Sequence, residues 1–402
     1  RAFNREFEWG GRFMSGGKRD TRLIHAGSNP EENFGLINPP VYRASTVSFP
    51  TVAAQAKARR NPEQNFVYGR RGTPTSFAFE DAVAQLEGGD RTIAVGSGLA
   101  AISSAMLAFV SAGDHVLVCD NAYTPTRNLS ENFLKRFGVE TSYYDPMDSA
   151  AVKDHFRPNS KAIYVEAPGS HTFEVMDLPA IAGAARDAGI KVVMDNTWSA
   201  GYFFKPFEYG VDVSVQAATK YQVGHSDAML GAVTMLNDDL ETVAASVRVL
   251  GFHAAPDDAY LGLRGMRTLS VRLKRHEING LKVAEWLAGR PEIERVLHPA
   301  MADCPGHEFW KRDFTGASGL FGVALKPAPK EAVNAFVDRL ELFALGGSWG
   351  GYESLVLPTN VTRTASQLPS DAPLVRLHVG LEDPDDLIED LNAGLDAFND
   401  SR

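Results

Sequence analysis

The chain has 402 residues, 44% hydrophobic and 22% charged, an ordinary globular composition with length for two or three domains. Forty basic against fifty acidic residues leave a net charge of −10, which argues against nucleic acid or an anionic membrane surface as partner, since both select basic patches. Two cysteines, Cys119 and Cys304, neither in a CxxC pair, point to a reducing, cytoplasmic setting without a disulfide framework, and no apolar run reaches the roughly 20 residues of a membrane span.

Residues 1–12 mix charges and aromatics and lack the apolar stretch of a signal peptide; Met14 is a candidate natural start. Residues 20 to about 70 hold few periodic runs and several Pro and Gly, so 1–70 reads as an extension and an arm rather than a core. From there helices and strands alternate. Helical spacing covers 77–86, a strand covers 91–95, and Gly96-Ser97-Gly98 leads into a buried helix over 99–110. Strands are expected at 115–119, 139–144 and 162–165. An amphipathic helix over 177–188 has Asp177 as N-cap and Gly189 as its stop. Strands follow at 190–194, 211–216 and 230–235. This alternation implies βαβ units and an α/β fold: a mostly parallel sheet with helices on both faces. The expected cofactor-sized domain spans 71–260. Beyond it, 259–287 reads as one long helix with a kink at Gly280. Short strands at 322–325 and 375–379 and helices at 330–340 and 385–397 make 261–402 a smaller C-terminal α/β domain.

The chemistry starts from Lys220, in Thr219-Lys220-Tyr221 just past a strand, and Asp195, which ends another. A lysine and an aspartate at two strand ends of one sheet suit pyridoxal 5′-phosphate, which needs an amine for its Schiff base and a carboxylate for its ring nitrogen. Ligands of such sheets sit at strand carboxyl ends against helix N-termini, so the amides around Gly98 and Leu99 can cradle a phosphate, with the Thr219 hydroxyl beside them. Tyr123 is either a ring stacked on the pyridine or a packed loop aromatic. Tyr68 and Arg70 lie in the arm, as a solvated basic loop or as phosphate ligands given to a neighbouring subunit. Arg376 is an arginine on an apolar strand, which calls for an anion: a substrate carboxylate or a structural ion pair. His225 and Asp227 read as fixing the loop behind Lys220. No histidine pair has zincin spacing and the cysteines lack partners, so no metal is expected.

Taken in order, these residues resemble the Cys/Met-metabolism family of pyridoxal-phosphate enzymes, fold type I, over essentially all of 20–400. Tyr68-x-Arg70 resembles the family's phosphate-binding pair, Ser97 to Ala100 its turn, and Thr219 to Asp227 its Schiff-base segment. Tyr123, Asp195 and Arg376 match its stacking, pyridinium and carboxylate residues. Ala217 departs from the phosphate-binding serine of many members. Within the family, Glu166-Ala-Pro-Gly-Ser-His, Gly306 to Phe321 and Ser348-Trp349-Gly-Gly-Tyr resemble the carbon–sulfur β-lyases rather than the γ-lyases or γ-synthases. The resemblance implies cleavage of L-cystathionine to L-homocysteine, pyruvate and ammonia, a step towards methionine. It implies that Lys220 acts as base, with Tyr123 or Tyr68 taking a proton from the substrate amine. Thr197 is implied among the cofactor contacts, and Ser348 and Trp349 join Arg376 at the substrate. It also implies a homotetramer, a dimer of dimers whose arms complete a neighbour's site.

Overall fold

The computed structural model describes residues 17–60, 65–370 and 372–402. Met14 and the extension expected over 1–13 lie outside the described residues.

Seven strands form the larger sheet: β1 (Arg91–Val95), β2 (His115–Cys119), β3 (Glu140–Tyr144), β4 (Ser160–Glu166), β5 (Lys191–Asp195), β6 (Val213–Gln216) and β7 (Gly231–Met235). Their spatial order is β1-β7-β6-β5-β4-β2-β3, parallel except for β7, which is antiparallel to both neighbours. The mostly parallel sheet is thus observed, with one reversal. The reversal has a local cause. Residues 217–230 between β6 and β7 hold turns and no crossover helix, and a parallel return needs such a crossover. That same turn-rich loop carries Lys220.

Strand and helix boundaries follow from the chain's chemistry. Strands β2 and β7 are buried along their whole length, as expected of strands covered on both faces. Helix Gly98–Ala108 is capped by Ser97, whose hydroxyl accepts from the Ala100 amide at 3.1 Å. Asp177 caps Leu178–Asp187 through the Ala180 amide, and Gly189 stops it at φ +68°.

The expected single helix over 259–287 is instead two, Pro256–Met266 and Leu269–Ala288, and the break lies at 267–268, not at Gly280. The Gly265 carbonyl accepts from the Arg272 guanidinium at 2.8 Å and from the Thr268 hydroxyl at 3.2 Å, and the Thr268 hydroxyl accepts from Arg272 Nε at 3.2 Å. The backbone tightens there to i−3 bonds, Arg267 to Arg264 at 3.2 Å and Thr268 to Gly265 at 3.1 Å, and the side chains add to them at the joint. Gly280 serves close packing: a Cβ there would lie 3.0 Å from the Cα of Gly319. Helix Leu269–Ala288 runs between the two cores, burying Leu269 and Leu273 in the first and Val283, Ala284 and Leu287 in the second.

The second core packs under a five-stranded sheet of β8 (Ile293–Leu297), β9 (Leu320–Leu325), β10 (Ala344–Leu345), β11 (Leu355–Thr359) and β12 (Leu374–His378), ordered β10-β11-β12-β9-β8. Helices Lys330–Arg339 and Pro384–Asp400 cover it. Sequence periodicity missed β8, β10, β11 and helix Asn237–Leu250. Among the described residues, no helix is long and apolar enough to cross a membrane.

Candidate active site

The carboxyl ends of β2, β4, β5 and β6 open on a cavity of about 370 Å³. Nine of the residues singled out in the sequence line it: Gly98, Leu99, Tyr123, Asp195, Thr197, Thr219, Lys220, Trp349 and Arg376. Ser348 reaches it through Lys220, whose amine donates to the Ser348 hydroxyl at 2.8 Å. Tyr68 and Arg70 do not line it. Tyr68 is half-exposed, and Arg70 donates to the Arg248 carbonyl at 2.9 Å on another face.

Lys220 is the reactive cation of the cavity. Burial, joined by the positive charge of Arg376, pulls its amine down to about 8. An amine so placed is far more often neutral at physiological pH than a free lysine. Trp349 shields it, with its ring 5.3 Å from Lys220 Nζ and packed edge-on against Tyr221. The loop that brings Ser348 and Trp349 here is held from below. Buried His378, at the end of β12, accepts the Gly350 amide at 3.1 Å. Gly350 sits at φ +86°, and a Cβ would lie 2.9 Å from the Lys220 backbone, so glycine is required on both counts.

Asp195 faces the lysine from the end of β5. Its carboxylate accepts the Thr197 amide at 2.9 Å and the Tyr164 hydroxyl at 3.3 Å, while Thr197 Oγ1 accepts the Ala217 amide at 2.9 Å. Burial raises its pKa, outweighing these hydrogen bonds and the charge of Lys220. A carboxylate uncomfortable without a cation is what a protonated pyridine nitrogen would relieve. Glu166 lies beside it, paired across the parallel register of β4 and β5, and accepts the Tyr123 amide at 2.8 Å. Burial first, and the Asp195 charge second, push Glu166 well up. Tyr164 and Glu166 are site residues that sequence reasoning did not single out. The strand register that brings them to Asp195 is invisible in the sequence, although Glu166 stands in a motif quoted above.

The remaining candidates divide by what they are free to do. Burial first, and then the charges of Glu166 and Asp195, raise the Tyr123 phenol. Thr219 gives its hydroxyl proton to the Leu230 carbonyl at 3.1 Å and accepts the Leu230 amide at 2.9 Å, so a phosphate would have to draw that proton away. Arg376 is 7% exposed and donates to the carbonyls of Gly347 and Ser348 at 3.1 and 2.9 Å. Among the described residues no carboxylate pairs with it, so the alternative of a structural ion pair is not realised, and burial lowers it to about 10. His225 meets the Val223 carbonyl at 2.7 Å, away from the lysine amine, in keeping with a loop-fixing role.

These residues fit pyridoxal phosphate. Lys220 can hold its aldehyde carbon, Asp195 its ring nitrogen, and the amides of Gly98 and Leu99 at a capped helix N-terminus its phosphate.

Comparison with known proteins supports the same cofactor. The description "Cys/Met metabolism PLP-dependent enzyme" matches residues 20–396. The chain is 44% identical to the cystathionine beta-lyase MetC of Escherichia coli (strain K12), covering 95% of this chain and 99% of that one. It is 38% identical to an L-alanine/L-glutamate racemase of Wolbachia pipientis wMel, covering 94% and 97%. The crystal structure of metB from Corynebacterium glutamicum superposes with a TM-score of 0.88 at 32% identity, covering 94% of this chain and 98% of that one. The chain belongs to the Cys/Met metabolism family of PLP-dependent enzymes.

Proposed function

We propose that this chain is a carbon–sulfur β-lyase that cleaves L-cystathionine to L-homocysteine, pyruvate and ammonia. The observation that carries the reading is a Lys220 amine with a lowered pKa sharing one cavity with half-buried Asp195 and with Arg376, which no carboxylate pairs among the described residues. The 44% identity to a named cystathionine beta-lyase over nearly the whole chain supports the choice of substrate.

When bound, pyridoxal phosphate supplies the electron sink for charge developed at the substrate Cα. The protein supplies the rest. Arg376 holds a substrate carboxylate in a fork that an ammonium could not reproduce. Asp195 keeps a positive ring nitrogen in place. The Lys220 amine takes the Cα proton, at a pKa suited to work near neutral pH. The Cβ–S bond then breaks with its electron pair on sulfur, and Lys220, or Tyr123 with its high pKa, protonates the departing thiolate. The released aminoacrylate takes up water and becomes pyruvate and ammonia. Trp349 covers the amine and keeps bulk water off the proton in transit.

We also assign the finer features to this reading. The chain acts as a cytoplasmic homotetramer, a dimer of dimers, in which Tyr68 and Arg70 of each arm serve a neighbour's phosphate. Their distance from their own cavity supports that arrangement.

The test is incubation of the holoenzyme with L-cystathionine and identification of both the thiol and the ketoacid. Homocysteine with pyruvate is the expected pair. Cysteine with 2-oxobutyrate would make it a γ-lyase. The racemase relative gives a second reading of the same lysine, and D-alanine formed from L-alanine without any thiol from cystathionine would establish it.

A further inference from the structure

Asp120 stands directly after β2, three residues before Tyr123, and is 1% exposed. Its carboxylate is saturated. Arg127 Nη1 donates to it at 2.8 Å. Every other donor comes from a short run in the C-terminal half: the amides of Thr364, Ala365 and Ser366 at 2.8–3.0 Å, and the hydroxyls of Thr364 and Ser366, each at 2.9 Å. Burial acts to raise this acid, but Arg127 and the three amides outweigh it and hold it at about 2. The next residue back, Arg363, grips a second loop. It donates to Glu174 at 2.6 Å and to the Thr172 hydroxyl at 2.6 Å, and both ends of that ion pair are about 5% exposed or less.

The two gripped loops are walls of the cavity. One carries Tyr123; the other carries Pro168 to His171. They are tied to each other, since the Ser170 amide donates to the Asn121 carbonyl at 2.9 Å. The run 363–366 itself does not line the cavity. It connects β11 to β12, the strand bearing Arg376.

We infer that Asp120 is a positioning residue, and that residues 363–366 form a strap that sets the Tyr123 wall and the 168–171 wall at a fixed distance from Arg376. The chemistry favours register over mere adhesion. A buried carboxylate is costly to desolvate and is tolerated only with full, well-directed hydrogen bonding, which a single orientation of the strap provides. Apolar contact would hold the same surfaces together but let them slide. The role in turnover rests on the β-lyase reading above; the order imposed on the two loops does not.

Two variants test it. Asp120→Asn turns one acceptor into a donor facing the strap amides. The double variant Thr364→Ala/Ser366→Ala removes the two hydroxyl donors, together with the Thr364 acceptor of Arg127 Nη2 at 3.1 Å, and serves if the first does not fold. Val337→Ala, in the second core and not a hydrogen-bonding partner of the strap, is the control for general loss of stability. Hydrogen exchange of the cofactor-free protein is read over 121–128 and 169–173. We expect at least about a 10-fold acceleration there in the strap variants and none in the control. With L-cystathionine, the strap variants should show kcat/KM lowered by about 10-fold, with kcat as well as KM affected, because the displaced wall carries the Tyr123 phenol. Unchanged exchange in those two segments overturns the strap. Faster exchange with unaltered KM and kcat overturns the positioning role. A wild-type enzyme that releases no thiol from cystathionine defeats the substrate reading instead, and the exchange result then decides the strap alone.

Discussion

The cavity has two unlike walls. The wall of Asp195, Lys220 and the Ser97–Leu99 turn is built from strand ends and the turn after a strand, within one sheet. The wall of Ser348, Trp349 and Arg376 is built from the smaller sheet and reaches the site through contacts between distant parts of the chain, such as the Lys220–Ser348 hydrogen bond. The first wall needs only its own sheet to be correct. The second needs the two halves of the molecule to be correctly docked, which the buried contacts of Asp120 with 364–366 arrange, while His378 fixes the Gly350 loop within its own half. The difference teaches a division of labour: rigid strand ends suit a permanently held cofactor, and a docked wall suits a substrate that must enter and leave.

Loss of the cofactor wall should be the most damaging. Lys220→Ala removes both the cofactor anchor and the proton carrier, and a positioned acid–base group alone is worth about 10²–10⁴-fold. We expect turnover to fall by at least about 10³-fold, with loss of the protein-bound cofactor's visible absorption and an unchanged far-ultraviolet circular dichroism spectrum. β-Elimination near the wild-type rate in this variant would remove Lys220 from the mechanism. Arg376→Ala, on the docked wall, should instead act on substrate capture. A buried carboxylate contact is worth on the order of 2–5 kcal/mol in kcat/KM. Arg376→Lys should be nearly as poor, because the fork is lost. If both variants keep the wild-type KM, the arginine serves only the carbonyls of Gly347 and Ser348.

A third contributor would come from outside the chain altogether. Tyr68 and Arg70 stand off the cavity, and the arm around them exposes Phe34, Ile37 and Val52, a surface suited to lie on another copy. Arg70→Ala and Lys220→Ala chains, each inactive alone, should complement when mixed under subunit exchange. Random pairing makes half the dimers mixed, each with one intact site of two, so recovery of about one quarter of wild-type activity is expected. Mixed dimers that form without recovery would return Arg70 to its own chain, and the site would have two walls only.

The same contrast governs what the sequence disclosed. Asp195 and Lys220 were legible because a buried apolar strand that ends in a polar residue is a local pattern, read over five or six positions. Arg376 was legible because a charge on an apolar strand is conspicuous. Glu166 and Tyr164 reach Asp195 through strand register, which one chain's hydrophobicity does not encode. Asp120 meets its strap partners across some 244–246 positions. The break at 267–268 was missed for a related reason: Arg272 and Thr268 capture a carbonyl that periodicity assigns to the ladder. The reversal of β7 was also missed, since alternating elements imply parallel strands until a crossover helix is found absent.

The smallest effect expected belongs to the cofactor wall without its cofactor. Burial leaves Lys220 at about 8 in the folded chain, against an ordinary value of 10.5. Below about pH 8 both folded and unfolded chains hold the proton, and the folded one bears a buried cation at full cost. Between about pH 8 and 10.5 the unfolded chain holds more protons than the folded one, so stability from this group rises with pH. Lys220→Met removes the group. In cofactor-free protein, the variant should therefore be more stable than wild type near neutrality, by about 1–3 kcal/mol, and that advantage should shrink as the pH approaches about 10. Lys205, lowered to about 8 by its own burial and partly restored by Glu87, titrates in the same window, but it is present in both proteins and cancels in the difference. Urea unfolding at several pH values measures it. A stability difference that stays constant across that range would mean the Lys220 amine is as well hydrated as a surface lysine. The base at Cα would then have to draw its lowered pKa from the bound cofactor rather than from the wall that holds it.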